Sequence, residues 1–274
     1  MLSLLLMLAC DSETPTSQAP PETPPTTAPE APTPTAAHSP GPDSLPLPEP
    51  ISPDAFSDLD EEERRYIEGN WKLLSHNRDV RLKPAQTLEK MGLSEGMSIV
   101  DLGAGTGYFA FRFSESVGSG GRVYATDIAS GALKYMQAII DREAEAGTDY
   151  SNITLVKNPL DGTGVADGSA DVVFVCSIHI FSHLDMLNYS NEEMAAGDPV
   201  ELMAAGRSTI IQSIHDTLKP GGRFVYMEGR PGSHEGLDLD AGAISALFGK
   251  FGFVELARNE HLEKMDMLVL QKPE

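Results

Sequence analysis

The chain has 274 residues, with 41 acidic and 20 basic side chains, two cysteines and 20 prolines. Residues 1–63 hold twelve acids and no lysine or arginine, which leaves residues 64–274 with 29 acids against 20 bases. So acidic a chain repels a phosphate backbone, which excludes general nucleic-acid binding, and no apolar run reaches the ~18–20 residues of a transmembrane helix.

The chain opens on MLSLLLMLA, an apolar run of signal-peptide length, and Cys10 follows at once. Leu8-Ala9-Cys10 resembles the lipobox of bacterial lipoproteins, in which cleavage precedes the cysteine and the thiol is lipidated. The match departs in two ways: no basic residue precedes the run, and Met7 stands where leucine is usual. Fourteen of the 20 prolines lie between Pro15 and Pro53, and no aromatic residue occurs before Phe56. Such a composition cannot bury enough apolar surface to offset chain entropy and reads as a semi-rigid tether. The expected organisation is therefore a lipoprotein signal over residues 1–10, an acidic Pro/Thr-rich linker over 11–55, and one globular domain over 56–274. The expected location is the bacterial cell envelope, lipid-anchored through Cys10 and extracytoplasmic. The alternative is a cytoplasmic protein with an accidental apolar start. With Cys10 lipidated, Cys176 has no partner, and no disulfide framework is available.

From Phe56 onward, strand-like and helix-like runs alternate. Residues 58–70 form a charged helical stretch, and 84–91 a short helix ending at Gly92. A strand at 98–100 runs through a glycine-rich turn into a helix over 108–117. A strand at 122–126 precedes a helix over 132–146, and strands follow at 153–156 and 172–176. A helix over 200–218 carries Ile210, Ile211, Ile214 and Leu218 on one face. Beyond the turn Lys219-Pro220-Gly221-Gly222 lies a strand at 223–227, then a helix over 240–248 stopping at Gly249. Two last strands, 253–257 and 267–270, have no helix between them and should pair antiparallel. The pattern implies an α/β fold with a mostly parallel sheet.

The most informative stretch is DLGAGTGYF, residues 101–109. Alternating glycines between a strand and a helix put bare main chain against a ligand, and the helix N-terminus favours negative charge. A dinucleotide site usually uses G-x-G-x-x-G. Here the glycines fall as G-x-G-x-G, with Asp101 two residues before the first. That acid suits a ligand with positive charge, which S-adenosylmethionine (SAM) carries on its ammonium and sulfonium. Asp127, ending the next strand, is placed to accept ribose hydroxyls from either kind of ligand. NAD-dependent reduction is the weaker alternative, held down by the glycine spacing.

DLGAGTGYF, together with VYATDI (123–128), ADVVFVCSIHIFSHL (170–184) and LKPGGRFVYMEG (218–229), resembles the class I SAM-dependent methyltransferases, in their type 11 or UbiE-like small-molecule branch. The resemblance implies a Rossmann-like seven-stranded sheet of order 3-2-1-4-5-7-6, strand 7 antiparallel, with helices on both faces. It implies SAM as cofactor, held by Asp101, Gly103, Ala104, Gly105 and Gly107 at the methionine end. Asp127 would hold the ribose, and Ile128 would pack on the adenine. Where the family offers an acid to the adenine amino group, this chain has Lys157-Asn-Pro-Leu-Asp, so Asn158 or Asp161 takes that role.

Ligands in such folds bind at the carboxyl ends of the strands, so the loop from Ser177 to Asp185 should face the methyl donor. His179 is the first candidate for a general base and His183 the second; a structural pair, or a metal site with Asp185, are the alternatives. No metal is expected. The stretch 185–200, with Tyr189 and Met194, has the length of a lid; an ordinary packed loop is the alternative. The charged helix at Glu61–Arg65, with Trp71, either closes over the cofactor from the other side or is a solvated surface helix. His215 and His234 read as surface residues. The expected function is methyl transfer to a small-molecule or lipid-associated acceptor by a membrane-tethered enzyme. A non-catalytic SAM-fold binding module of the envelope is the alternative.

Overall fold

The computed structural model describes residues 45–177, 199–229, 241–259, 262 and 265–274. Seven strands form one sheet: β1 (Ser98–Leu102), β2 (Arg122–Asp127), β3 (Ile153–Lys157), β4 (Ala170–Cys176), β5 (Leu218–Gly229), β6 (Val254–Asn259) and β7 (Met265–Gln271). Their spatial order is β3-β2-β1-β4-β5-β7-β6. The central pairs are parallel, and β7 runs antiparallel to both β5 and β6. The order, the reversed strand and the flanking helices all match the expected fold.

Side chains alternate across a strand, and here the alternation feeds two cores. Ile99, Val172, Phe174, Val225 and Met227 go to one side of the sheet. Val100, Val173, Val175, Phe224 and Tyr226 go to the other. The first core is covered by α3 (Pro84–Met91), α4 (Ala110–Val117) and α5 (Ser130–Glu145). The second is covered by α6 (Pro199–Thr217) and α7 (Ala241–Gly249), with Phe224 stacked on Phe248 at 4.3 Å between ring centres. The strand expected at 223–227 is longer, because residues 219–222 bulge out opposite Asp171 and Leu218 rejoins the ladder against Ala170.

The amino-terminal side differs most from expectation. Leu47 and Ile51 pack against the apolar cluster beneath α1 (Glu61–Asn70). Tyr135 on α5 holds Ile51 through its hydroxyl, which accepts from the Ile51 N–H at 2.9 Å. Arg142 donates to the Glu49 carbonyl at 2.6 Å. The globular part thus begins ahead of Phe56, and residues 45–55 are packed chain, not tether. Helix α1 starts on a capping box between Asp60 and Glu63. It lies against α5, where Lys134 pairs with Glu63 at 3.0 Å. Gly131 permits the close approach: a Cβ there would meet Tyr66 Cβ at 2.9 Å and the Glu63 carbonyl at 3.0 Å.

After α1 the chain makes two short 3₁₀ turns and reaches α2 (Asp79–Leu82). Asp79 is buried and accepts from the Tyr108 hydroxyl at 2.5 Å and from Arg112 at 2.8 Å, while His76 Nδ1 lies 2.7 Å from its other oxygen. Arg112 is fully buried on α4, so Asp79 locks this amino-terminal segment to the helix that leaves the glycine-rich turn. Removing one partner of a buried pair strands the other charge, at a cost of about 3–5 kcal/mol. Asp79→Ala should therefore lower unfolding stability by about that much in urea titrations, whereas Lys134→Ala, at a solvent-screened pair, should leave it nearly unchanged.

Candidate active site

The carboxyl ends of β1, β2 and β3 and the turn after β1 converge on one region. Asp101, in β1, is buried. Its carboxylate accepts from the Ala110 N–H at the start of α4, and its Oδ2 is buried with no partner. Burial first, and the nearby Asp127 charge second, push its pKa up to about 7.

Beyond Asp101 the main chain turns through positive φ at Gly103 (78°), Gly105 (60°) and Gly107 (90°). The Gly103 and Ala104 N–H groups both donate to the Thr126 carbonyl at 2.9 Å, which ties the turn to β2. The Gly105 N–H donates to Asp127 Oδ2 at 2.9 Å, and the Ala129 N–H to Oδ1 at 2.8 Å. Asp127 therefore has a structural task as well as the expected ligand-facing one. The Ile128 N–H donates to the same carboxylate, which still keeps acceptor capacity beyond these three bonds. Burial raises its pKa too, against the main-chain donors that lower it.

The glycines divide the work. At Gly105 the nearest heavy atom to an added Cβ is Tyr66 Oη at 3.6 Å, so this bare main chain borders open space. At Gly107 a Cβ would strike Phe111 at 2.5 Å. Gly107, expected at the cofactor, also makes room for a ring of α4.

At the end of β3, Asn158 is buried and its main-chain N–H donates to the Asp127 carbonyl at 3.3 Å. Its side-chain nitrogen is spent on the carbonyls of Pro159 (2.8 Å) and Gly162 (3.1 Å), while its Oδ1 is buried without a partner. Asp161 is exposed. Of the two residues left open by the sequence, Asn158 is the one with an unspent buried acceptor beside Asp127. Ile128 is half-buried.

On the β4 side, burial pushes the Cys176 thiol up to about 12, which keeps it protonated and inert as a nucleophile. Ser177 follows with φ 52°, a left-handed conformation unusual outside glycine. His179, His183 and the stretch 185–198 lie outside the described residues, as do His234 and Cys10. His215 is only partly exposed; it sits 3.1 Å from Asp216 and edge-on to Phe253.

Two residues that sequence reasoning missed stand at this site. Tyr66 brings its hydroxyl over Gly105, and Arg78 stacks over the Tyr108 ring at 4.5 Å. The helix expected at 61–65 reaches the glycine-rich turn through Tyr66. Among the described residues, buried side-chain polar atoms without a partner occur on Arg78, Asp101, Thr106, Arg112 and Asn158. Asp101, Thr106 and Asn158 belong to the turn and strand ends just described, a concentration that marks a ligand site.

Residues 93–246 match the family model described as a methyltransferase domain. The chain belongs to that family. The demethylmenaquinone methyltransferase of Lactococcus lactis is 30% identical over 144 residues, covering 53% of this chain and 46% of that protein. The ubiquinone/menaquinone biosynthesis C-methyltransferase UbiE of Pseudoalteromonas translucida is 26% identical over 155 residues, covering 57% and 51%. The chain thus spans about half the length of these curated relatives. The crystal structure of a SAM-dependent methyltransferase from Aquifex aeolicus shares the fold, with a TM-score of 0.58 at 16% identity, over 78% of this chain and 99% of that one. SAM is the cofactor of this methyltransferase domain, and the site fits it. The unpaired Asp101 oxygen suits an ammonium, and the open space at Gly105 admits a ligand against main chain. The Asn158 Oδ1 suits an amino donor.

Asp101 also sets a pH dependence. Its folded pKa lies above the ordinary 3.8, so the folded state holds a proton that the unfolded state has lost between about pH 4 and 7. Its contribution to stability is present below pH 4 and disappears as pH rises to about 7. Asp101→Asn removes that penalty: at pH 8 the ligand-free variant should be more stable than wild type by up to about 4 kcal/mol. The gap should close toward pH 4, as measured by urea unfolding across the pH range.

Proposed function

We propose that this protein transfers a methyl group from SAM to a small or lipid-associated acceptor, from a position tethered to the membrane through Cys10. The observation that carries the transfer reading is the buried Asp101 carboxylate, half-partnered and next to bare main chain. An acid in that position repels a pyrophosphate and favours a cationic amino-acid group. Asp101 would hold the ammonium, and the remaining acceptor capacity of Asp127 would serve the ribose hydroxyls. Asn158 Oδ1 would accept from the adenine amino group, with Ile128 against the ring.

When bound, SAM supplies a methyl group on a sulfonium, already a good leaving group, so alignment and exclusion of water are the main requirements. Ser177 stands at the carboxyl end of β4, where an acceptor would enter. Glu228, buried at the end of β5, puts a carboxylate on that side. It is a residue to test beside His179 and His183, which would take a proton only where the acceptor must lose one. The protonated Cys176 does not compete as a methyl acceptor. The names of the matching relatives, which concern menaquinone and ubiquinone, favour an apolar ring compound as acceptor class.

For the tether, the apolar run at residues 1–9, Cys10 and the acidic Pro/Thr-rich stretch support a lipid anchor facing the envelope. Among the described residues no helix is long and apolar enough to cross a membrane.

The full-length protein, incubated with methyl-labelled SAM and a lipid extract, should move label into an organic-soluble product, and Asp101→Ala should reduce the rate at least about 100-fold. Label that appears only in aqueous small molecules would remove the lipid-associated acceptor, and SAM binding without turnover on any extract would favour the non-catalytic module. Palmitate labelling in a bacterial host should be lost in Cys10→Ser; equal labelling of both proteins would remove the anchor and favour the cytoplasmic alternative.

A further inference from the structure

The acids assigned to the cofactor leave one of its charges unaccounted for. SAM carries a carboxylate at its methionine end, and Asp101 and Asp127 are two buried acids there. Bringing a third carboxyl group into that region is favoured by a cation beside it. Arg112, buried nearby on α4, also has an unpartnered Nε, but its terminal nitrogens are already committed to Asp79 at 2.8 Å and to the carbonyls of Tyr108 at 3.0 Å and Leu45 at 3.3 Å.

Arg78 is differently placed. Its guanidinium stacks over the ring of Tyr108, the residue that follows Gly107, at 4.5 Å from the ring centre. One terminal nitrogen makes a long bond of 3.4 Å to the Leu73 carbonyl, and its Nε–H is buried with no partner. Its positive charge reaches Asp101, Tyr66, Tyr108 and Cys176, lowering the pKa of each against the burial that raises them. Arg78 therefore sits on the methionine side of the site, within electrostatic range of Asp101, with donors to spare.

The neighbours of Arg78 hold it there. Asp79, the next residue, is fixed by Tyr108 and Arg112, and His76 closes the other side of Asp79. Both guanidinium groups lie over the Tyr108 ring, Arg112 at 4.2 Å. On the same segment, Tyr66 brings its hydroxyl over Gly105. All of these groups before Gly103 lie ahead of residue 93, where the match to the methyltransferase domain begins.

We propose that Arg78 is the cation that receives the carboxylate of the cofactor's methionine end, so that the segment carrying Tyr66 and Arg78 completes a cofactor site the matched domain alone leaves unbalanced. This rests on the SAM reading above and adds to it a residue and a charge. Arg78 is then a cofactor-binding residue, and Asp79 a positioning residue that acts through it.

The test compares two ligands on the full-length protein by calorimetry: SAM, and decarboxylated SAM, which keeps the ammonium and the sulfonium and lacks the carboxylate. A charge-assisted hydrogen bond of ordinary strength predicts that wild type prefers SAM by about ten- to a hundredfold. In Arg78→Gln that preference should fall to within about threefold of unity, through weaker SAM binding with the decarboxylated ligand unchanged. Arg78→Lys should recover part of it, since lysine keeps the charge and loses the planar fork. A wild type with no preference, or an Arg78→Gln variant that keeps the full preference, would overturn the proposal. Failure of wild type to bind either ligand would overturn the SAM reading and this inference together. Thermal melting accompanies each variant, and if Arg78→Gln does not fold, the wild-type ligand ratio and Arg78→Lys decide the matter alone.

Discussion

The site is governed by the burial of two carboxylates close enough to feel one another. Asp101 and Asp127 end adjacent parallel strands, and the sheet register that pairs Asp101 with Ala125 brings both to the same edge of the turn. Taken from water, each disfavours its own ionisation, and Asp127 further disfavours that of Asp101. The fold spends main-chain donors on them: Ala110 on Asp101, and Gly105, Ile128 and Ala129 on Asp127. One oxygen of Asp101 receives nothing. A site in that state is a poor host for phosphate and a good one for a cation, so the choice of cofactor follows from charge before any family likeness is considered.

The rest of the molecule positions that pair. The two-sided core fixes the strands, and the bond between Gly105 and Asp127 sets the shape of the turn. Gly107 lets Phe111 into the space beneath it, which seats α4 so that its first N–H meets Asp101. On the amino-terminal side, Asp79, Tyr108 and Arg112 form a buried node that joins a segment with little regular structure to the same helix. Stability and ligand binding therefore share residues here: Tyr108 belongs to the turn, to the buried node and to the stacking surface for Arg78.

Much of this was legible in the sequence, for a local reason. Strands such as Val172–Phe174 and Phe224–Met227 are short apolar runs between turn residues, and a glycine-rich turn after a strand is readable without knowing what packs on it. What the sequence concealed was non-local. Arg78 lies in SHNRDVRLK, which reads as charged surface because the acid that buries its neighbour meets partners roughly 30 residues away in the chain. Tyr66 reaches Gly105 only because Gly131, on another helix, lets α1 approach. Leu47 and Ile51 were hidden by composition: averaged over a proline-rich stretch, the few apolar residues that pack against Tyr135 and its neighbours vanish. The choice between Asn158 and Asp161 likewise needed burial and hydrogen-bond partners, which spacing does not supply.

The central claim is electrostatic, and proton bookkeeping tests it most directly. Titrating the protein with SAM at pH 7 in two buffers of different ionisation enthalpy gives the number of protons exchanged on binding. A cation docking on Asp101 must lower its pKa from about 7, so binding should release a fraction of a proton, and affinity should rise as pH climbs from 6 to 8. The release should disappear in Asp101→Asn. Binding with no proton exchange in wild type, or an identical release in Asp101→Asn, would contradict the claim that this buried carboxylate receives the cofactor's positive charge.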